Sequence, residues 1–363
     1  MKVRFWVILI FSLLLFTGQA QTIITGQVTD LKNTPIPNAT VYLSKTTVGV
    51  LANTDGIYSL SIPQVGTYEL IASCVGYESH TQRIKCDGTA KKINIRLPER
   101  IILISEVTVK GKDINRKQNY ETFLYNFIGR TQNAPFCKIR NQKDLIIYRS
   151  SNDSNLIAYS TKPLMIEHST FGYKIIYDLR SFNYNLKTRH LRFSGDYYYQ
   201  DITNKNRENS RIKRTRLVAY YGSRMHFLRA LFTDSVSQEN FKIYNTAKDS
   251  ISKWWLTSKP IQESDLRLAT NSDSMTLYNP APIEIKYAEN HPALFPLPFV
   301  YRPGEFTSRM YFWDTIHVYK NGYYPDLYNI SWGGNMARDR IAELLPYDFV
   351  PKSITKKGSS LLK

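Results

Sequence analysis

Between residues 207 and 229 the chain sets Arg207, Arg211, Lys213, Arg214, Arg216, Arg224 and Arg229 within 23 positions, with His226 among them. Guanidinium groups fork onto carboxylate, sulfate and phosphate oxygens, so this density suits an anionic partner. Ser223 has the side chain of a helix N-cap, which puts Arg224, His226 and Arg229 at a helix start, an end that itself attracts anions. The candidate binding set is therefore Arg211, Lys213, Arg214, Arg216, Arg224, His226 and Arg229. The same residues would serve equally as solvated charge on a helix packed through Met225, Leu228 and Phe232.

Other chemistry finds less support. Asp196 with Asp201, or Glu284 with Glu289, could form a glycosidase pair, but 30 acidic residues offer many such pairs by chance. Trp254-Trp255 could stack a sugar or fill a core. There is no Gly-x-Ser-x-Gly, no phosphate loop and no Gly-x-Gly-x-x-Gly. Three cysteines and six scattered histidines make a zinc site improbable. The expectation is no catalytic residue, no cofactor and no metal.

The elements that must carry these residues begin with an export signal. Lys2 and Arg4 precede an apolar run, Phe5 to Phe16, and Gly18 and Ala20 supply small residues before a cut at Gln21. The run is shorter than the roughly 20 residues a spanning helix needs. No later stretch is long and apolar enough to span as a helix, and no Cys follows the signal to anchor a lipid. The net charge is +18, of which +14 lies after residue 98. Such an imbalance favours lipid headgroups, acidic glycans or another protein's acidic face. Nucleic acid would fit the charge, but the export signal argues against it.

From Thr22 to Leu97 apolar residues recur with period two: Ile24 and Val28, Val41 and Leu43, Tyr58, Leu60 and Ile62, Leu70 and Ala72, Ile93, Ile95 and Leu97. Turn residues at Pro35–Asn38, Asp55-Gly56, Gly66, Gly76 and Asp87-Gly88 separate the runs, which reads as an all-β sandwich. If Cys74 flanks the Gly76-Tyr77 turn, Cys86 ends the next strand roughly 20 Å away at about 3.3 Å per residue, too far for a disulfide. Free thiols are expected.

The motifs Gly26-x-Val28-x-Asp30, Pro35-x-Pro37-x-Ala39-x-Val41, Thr54-Asp55-Gly56-x-Tyr58 and Gly76-Tyr77 are specific. They resemble the carboxypeptidase regulatory-like domain, which implies a seven-stranded, transthyretin-like sandwich. That domain accompanies carboxypeptidases without being their catalytic part. A metallocarboxypeptidase needs a His-x-x-Glu pair, and none of the six histidines is followed three residues later by Glu. The string LISEVTVKGK (103–112) resembles the short strand that follows this domain in Bacteroidetes-type TonB-dependent receptors. About 250 residues remain, too few for that receptor's barrel, so the resemblance implies the envelope and not the transport.

The expected fold class is mainly β with minor α. The signal covers 1–20, the sandwich 21–98, a linker with a short strand 99–117, and a basic β-rich α+β domain 118–363. Within the last, a helix is expected over about 116–130, on the apolar spacing of Phe123, Leu124, Phe127 and Ile128. A hairpin is expected at Leu145–Tyr148 with Leu156–Tyr159. A strand pair is expected at 171–185 and 189–202, a type I′ hairpin at Asn321-Gly322, and a closing helix at about 335–344. The strings FLYNFIGRT, FGYKIIYDLRSF, AYYGSRMHFLRALF and IAELLPYDFVP resemble exported proteins that join the regulatory-like domain to a C-terminal region of unknown function, which brings no catalytic residues.

The expected role is a non-catalytic exported binding or scaffold protein of the periplasm or the periplasmic face of the outer membrane. The sandwich would be its docking or spacer module. An envelope protein, an anionic glycan or a lipid surface would be its partner. A hydrolase of glycan or peptide and a small outer-membrane β-barrel are the alternatives.

Overall fold

The computed structural model describes residues 21–100, 115–150, 153–203, 209–250, 255–288 and 305–351. The signal and the 103–112 strand lie outside them. Two compact units divide the chain: residues up to 43 with 48–101, and 44–47 with 102–363. The division at 101/102 falls inside the segment read as a linker.

In the first unit alternation does the work. Every second residue of β1 (Thr22–Thr29) is buried, as are Tyr58, Leu60 and Ile62 of β4 (Ile57–Ile62). These strands pair antiparallel. They face a second sheet ordered β3 (Gly49–Leu51), β2 (Thr40–Leu43), β5 (Gly66–Ser73), β6 (His80–Cys86). One core joins Ile24, Val28, Val41, Leu43, Leu60, Leu70 and Ala72, with Tyr58 and Tyr68 filling the space between the sheets.

The last strand of the sandwich is broken. Lys91–Lys92 (β7) and Ile95–Arg96 (β8) both run parallel to β1, separated by Ile93 and Asn94. There the Ile93 carbonyl leans onto Gly26, where a Cβ would sit 1.7 Å from its oxygen. The break stays satisfied: Tyr58 Oη donates to that carbonyl at 2.8 Å, and Asn94 Oδ1 accepts from Gln27 N at 3.1 Å. Burial pushes the Tyr58 phenol up to about 12. Asp30 closes the next loop, accepting at one oxygen from Lys32 N and Thr34 N at 2.8 and 2.7 Å. Asn53 does the same for the Asp55-Gly56 turn. Cys74 and Cys86 are free: Cys86 pairs with Gly66 at one end of the β5–β6 ladder, and Cys74 follows Ser73 at the other.

The second unit opens with α1 (Arg116–Phe127). The expected helix stops short of residue 130 because Gly129 turns the backbone at φ +113° and its amide folds back to Leu124 O. Phe123 and Phe127 pack against Phe182 and Tyr177 at 4.9 and 5.1 Å. Those rings belong to a six-stranded sheet built from β9 (Cys137–Ile139), β10 (Leu145–Arg149), β11 (Asn155–Ser160), β12 (Leu164–His168), β13 (Tyr173–Asn185) and β14 (Leu191–Asp201). The expected pairings β10 with β11 and β13 with β14 are both present.

Two helices, α2 (Ser210–Tyr220) and α3 (Arg224–Phe232), follow. A second core gathers Phe227, Leu228 and Leu231 of α3 with residues of two further sheets. One sheet is ordered β16 (Trp255–Pro260), β15 (Phe241–Lys248), β19 (Ile283–Ala288), β20 (Glu305–Phe312), β22 (Ile330–Gly334). The other is ordered β17 (Arg267–Thr270), β18 (Ser274–Leu277), β21 (Ile316–Tyr319). The fold is mainly β with minor α.

Two expectations are corrected here. The Asn321-Gly322 turn exists, with Gly322 at φ +82°, but Asn321 stays out of the positive region and the chain does not return as a strand. Pro325, which has no donor, ends the return limb, and β21 pairs with β18 instead. The closing helix is two single 3-10 turns, Asn335–Arg338 and Ile341–Glu343, parted by extended backbone at Arg340.

Replacing Gly26 by Ala should cost about 2–3 kcal/mol, since the Ile93 carbonyl must move. Replacing the exposed neighbour Thr25 by Ala should stay within about 0.5 kcal/mol. Equal denaturant midpoints for the two variants would show that this approach is not tight.

Candidate functional site

Asn209 Oδ1 caps α2, accepting from Arg211 N and Ile212 N at 3.1 and 3.3 Å. Ser223 Oγ caps α3, accepting from His226 N at 3.2 Å, which is the expected cap. The caps aim the cationic side chains, and the structure divides them into two kinds.

Four of the seven are tied into the unit. Arg216 lies over the Tyr173 ring, 3.8 Å from its centroid, donates Nε to Phe171 O at 2.7 Å and bridges Asp201 at 3.1 Å. Arg224 meets the Asp339 carboxylate at 3.3 Å and also donates to Asp339 O and Tyr324 Oη. Burial pushes the Asp339 carboxyl up, and the Arg224 charge pulls against it. Arg229 spreads its three nitrogens over three carbonyls, Asn321 at 2.8 Å, Phe349 at 2.9 Å and Tyr347 at 3.0 Å. His226 accepts from Gly222 N at Nδ1 (3.0 Å), which fixes its proton on Nε2, and Nε2 donates to Glu239 at 2.9 Å. Burial lowers its pKa, against the pull of Glu239.

The other three remain on α2. Arg211 is exposed; Lys213 and Arg214 are half-buried and carry interactions within the protein. Lys213 and Arg216 line a hollow of about 340 Å³ with Tyr173, Leu217, Asp201 and Asp348. Two cations against two carboxylates leave that hollow without a net pull on anions. Burial pushes the Asp348 carboxyl up. The electrostatic reach of this region therefore comes from the outer face of α2 and not from the start of α3.

The acids weighed for glycoside chemistry are also engaged. Asp196 and Asp201 stand five apart on β14, hence on opposite faces, and bridge Arg180 at 3.0 Å and Arg216 at 3.1 Å. Glu284 holds Arg309 at 3.1 Å and accepts from Thr257 Oγ1 at 2.6 Å. Glu289, Trp254 and the Trp255 side chain lie outside the described residues. His168 donates Nε2–H to Ala342 O at 2.9 Å and stacks on Phe171 at 4.0 Å. Among the described residues no three of His, Cys, Asp and Glu are grouped to hold a metal ion. The partners Glu239, Asp339 and Asp348 were invisible to sequence reasoning, because each lies 13 residues or more from the cation it meets or the hollow it lines.

Comparison with known proteins bears on the first unit. Residues 24–109 match the family model described as the CarboxypepD_reg-like domain. This segment is a carboxypeptidase regulatory-like domain. Among curated proteins, the chain is similar to a viral structural protein, structural protein 27 of the virus isolate Australia/Victoria, 26% identical over 155 residues. That match covers 42% of this chain and 27% of the viral protein, so the chain spans about a quarter of that relative's length. Among solved structures, hydroxyquinol 1,2-dioxygenase from Pseudomonas putida DLL-E4 is 8% identical, over 23% of this chain and 58% of that one, with a TM-score of 0.20. A type II cohesin–X-dockerin complex from Acetivibrio cellulolyticus is 17% identical, over 21% and 56%, with a TM-score of 0.19. Likeness at that level carries no argument about a unit built, as the regulatory-like domain is, on a common sandwich.

Two outcomes follow. Arg229→Lys cannot reach three carbonyls and should cost about 2–3 kcal/mol in thermal unfolding, while Arg211→Lys should be neutral. Glu343 is half-buried, with Asn133 Nδ2 at 3.1 and 3.0 Å from its two oxygens, and its desolvation pushes its carboxyl up from 4.5 to about 7. Between those values the folded chain keeps a proton that the unfolded chain has lost, so stability falls as pH rises from 4.5 to 7. The loss is up to about 3 kcal/mol. Glu343→Gln should flatten that slope; identical pH–stability curves would rule the assignment out.

Proposed function

We propose that this chain is a non-catalytic exported protein with a binding or scaffold role. Its regulatory-like domain would be a docking or spacer module, and its second unit would meet an anionic envelope partner through cationic surface. The periplasm, or the periplasmic face of the outer membrane, is the compartment this reading assigns. The observation that carries it is the engagement of the groups able to move protons. His168, His226, Asp196, Asp201 and Glu284 each hold a hydrogen bond or ion pair within the chain. These contacts run within the chain, and among the described residues no three of His, Cys, Asp and Glu are grouped to hold a metal ion. The excess of +14 after residue 98 supplies long-range attraction for anions, and the limited similarity to a viral structural protein is of the same non-enzymatic kind.

The full chain should bind acidic polysaccharide or anionic vesicles with an affinity that falls as salt rises. Arg211→Glu with Arg214→Glu should weaken it several-fold, and Arg211→Glu alone, on an exposed side chain, should weaken it without lowering the melting temperature. Arg216 is left out of that test, since reversing it would break its bridge to Asp201. Salt-independent binding, or release of reducing ends or amino groups from glycan or peptide substrates, would count against the reading.

A further inference from the structure

We propose a second cationic site on the second unit, distinct from the α2 surface, that binds an acidic oligosaccharide in a cleft walled by Arg130, Arg189, Arg338 and Arg340. This goes beyond the α2 surface and rests on the reading that the protein binds anions.

The cleft encloses about 790 Å³ beside the C-terminal end of α1, the β13–β14 turn and the 3-10 turn after β22. No carboxylate is among its described lining residues. None of its four arginines takes part in an ion pair among the described residues, in contrast to Arg216 and Arg224. Arg130 donates to Tyr125 Oη and lies 5.3 Å from that ring's centroid, so its one neutral partner leaves its charge uncompensated. Arg189 and Arg338 are exposed. Arg340 reaches in from below, its stem resting on Gly129, where Arg340 Cβ lies 3.1 Å from the place a side chain would start. The acid that acts on Arg340, its chain neighbour Asp339, is already claimed by Arg224. Burial, together with the like charges of Arg224 and Arg130, lowers the Arg340 pKa to about 10, against the pull of Asp339. A bound oxyanion would relieve that repulsion.

Arg189 adds an independent sign. It occupies the left-handed region at φ +59° in the β13–β14 turn, a position Gly or Asn fills at lower cost. A long cation held there against local preference points to use of the side chain.

The chemistry of the wall selects the ligand. Four guanidiniums contributed by three segments of the chain suit several carboxylates spread along a ligand better than one compact ion. Tyr125, 51% exposed, and Tyr184 offer ring faces to the apolar side of a sugar. Asn126 and Asn335 supply amides for hydroxyl groups. An acidic sugar chain combines all three features.

Calorimetric titration of the full chain with a galacturonate tetramer tests this, with a neutral galactose tetramer and inorganic pyrophosphate as parallel probes. The uronate should bind, the neutral tetramer should not, and Arg189→Glu with Arg338→Glu should weaken binding at least tenfold at unchanged melting temperature. Arg340→Met should weaken it as well, and Arg211→Glu with Arg214→Glu should leave it intact. Equal binding of the neutral tetramer, or of pyrophosphate without the uronate, overturns the proposal. So does loss only in the Arg211/Arg214 variant, an outcome that leaves the broader anion-binding reading standing. A chain that binds no anionic probe at all defeats both.

Discussion

A guanidinium can enter a protein interior only if its five donors find acceptors, and the second unit is organised around meeting that demand. Arg229 collects carbonyls from Asn321, Tyr347 and Phe349. Arg224 gathers Asp339 and Tyr324, and Arg216 gathers Phe171 and Asp201. Arg224 and Arg229 thereby fix irregular segments far along the chain to a short stretch of helix, and Arg216 fixes its helix to the ends of β13 and β14. The turns after β21 and β22 have few backbone ladders of their own, so these side chains do for them what ladder bonds do for strands. The density of arginine that attracts notice in the sequence is, in these three cases, a means of holding the unit's own segments together.

This explains where sequence reasoning reached and where it stopped. The sandwich was legible because its information is local: alternation at Ile24, Val28, Tyr58 and Leu60, and turns at Asp55-Gly56 and Gly76. Ser223 as a cap was legible for the same reason. What Arg224 or Arg229 would touch was not, because Asp339 and Phe349 come more than 100 residues later with no periodic signal to announce them. The Asn321-Gly322 turn shows the complementary failure. A correct local signal led to the wrong partner strand, since Pro325 decides it from outside the motif.

The candidate site follows the same logic. Arg130, Arg189, Arg338 and Arg340 are scattered through the sequence and none stands out there, yet topology brings them to one concavity. The crowded cations at 211–229 advertise themselves and are half consumed by structure. Charge density along a chain thus measures the supply of cations, while the pairing of each one decides what remains for a partner.

The three thiols have a consequence for how the chain reacts. Cys74, Cys86 and Cys137 are all unbridged, and burial pushes the last two up to about 11 and about 12. Almost none of either is thiolate near neutrality, and thiolate is the form that attacks another sulfur. Folding thereby shields Cys86 and Cys137 from disulfide exchange and leaves half-buried Cys74 the more accessible thiol.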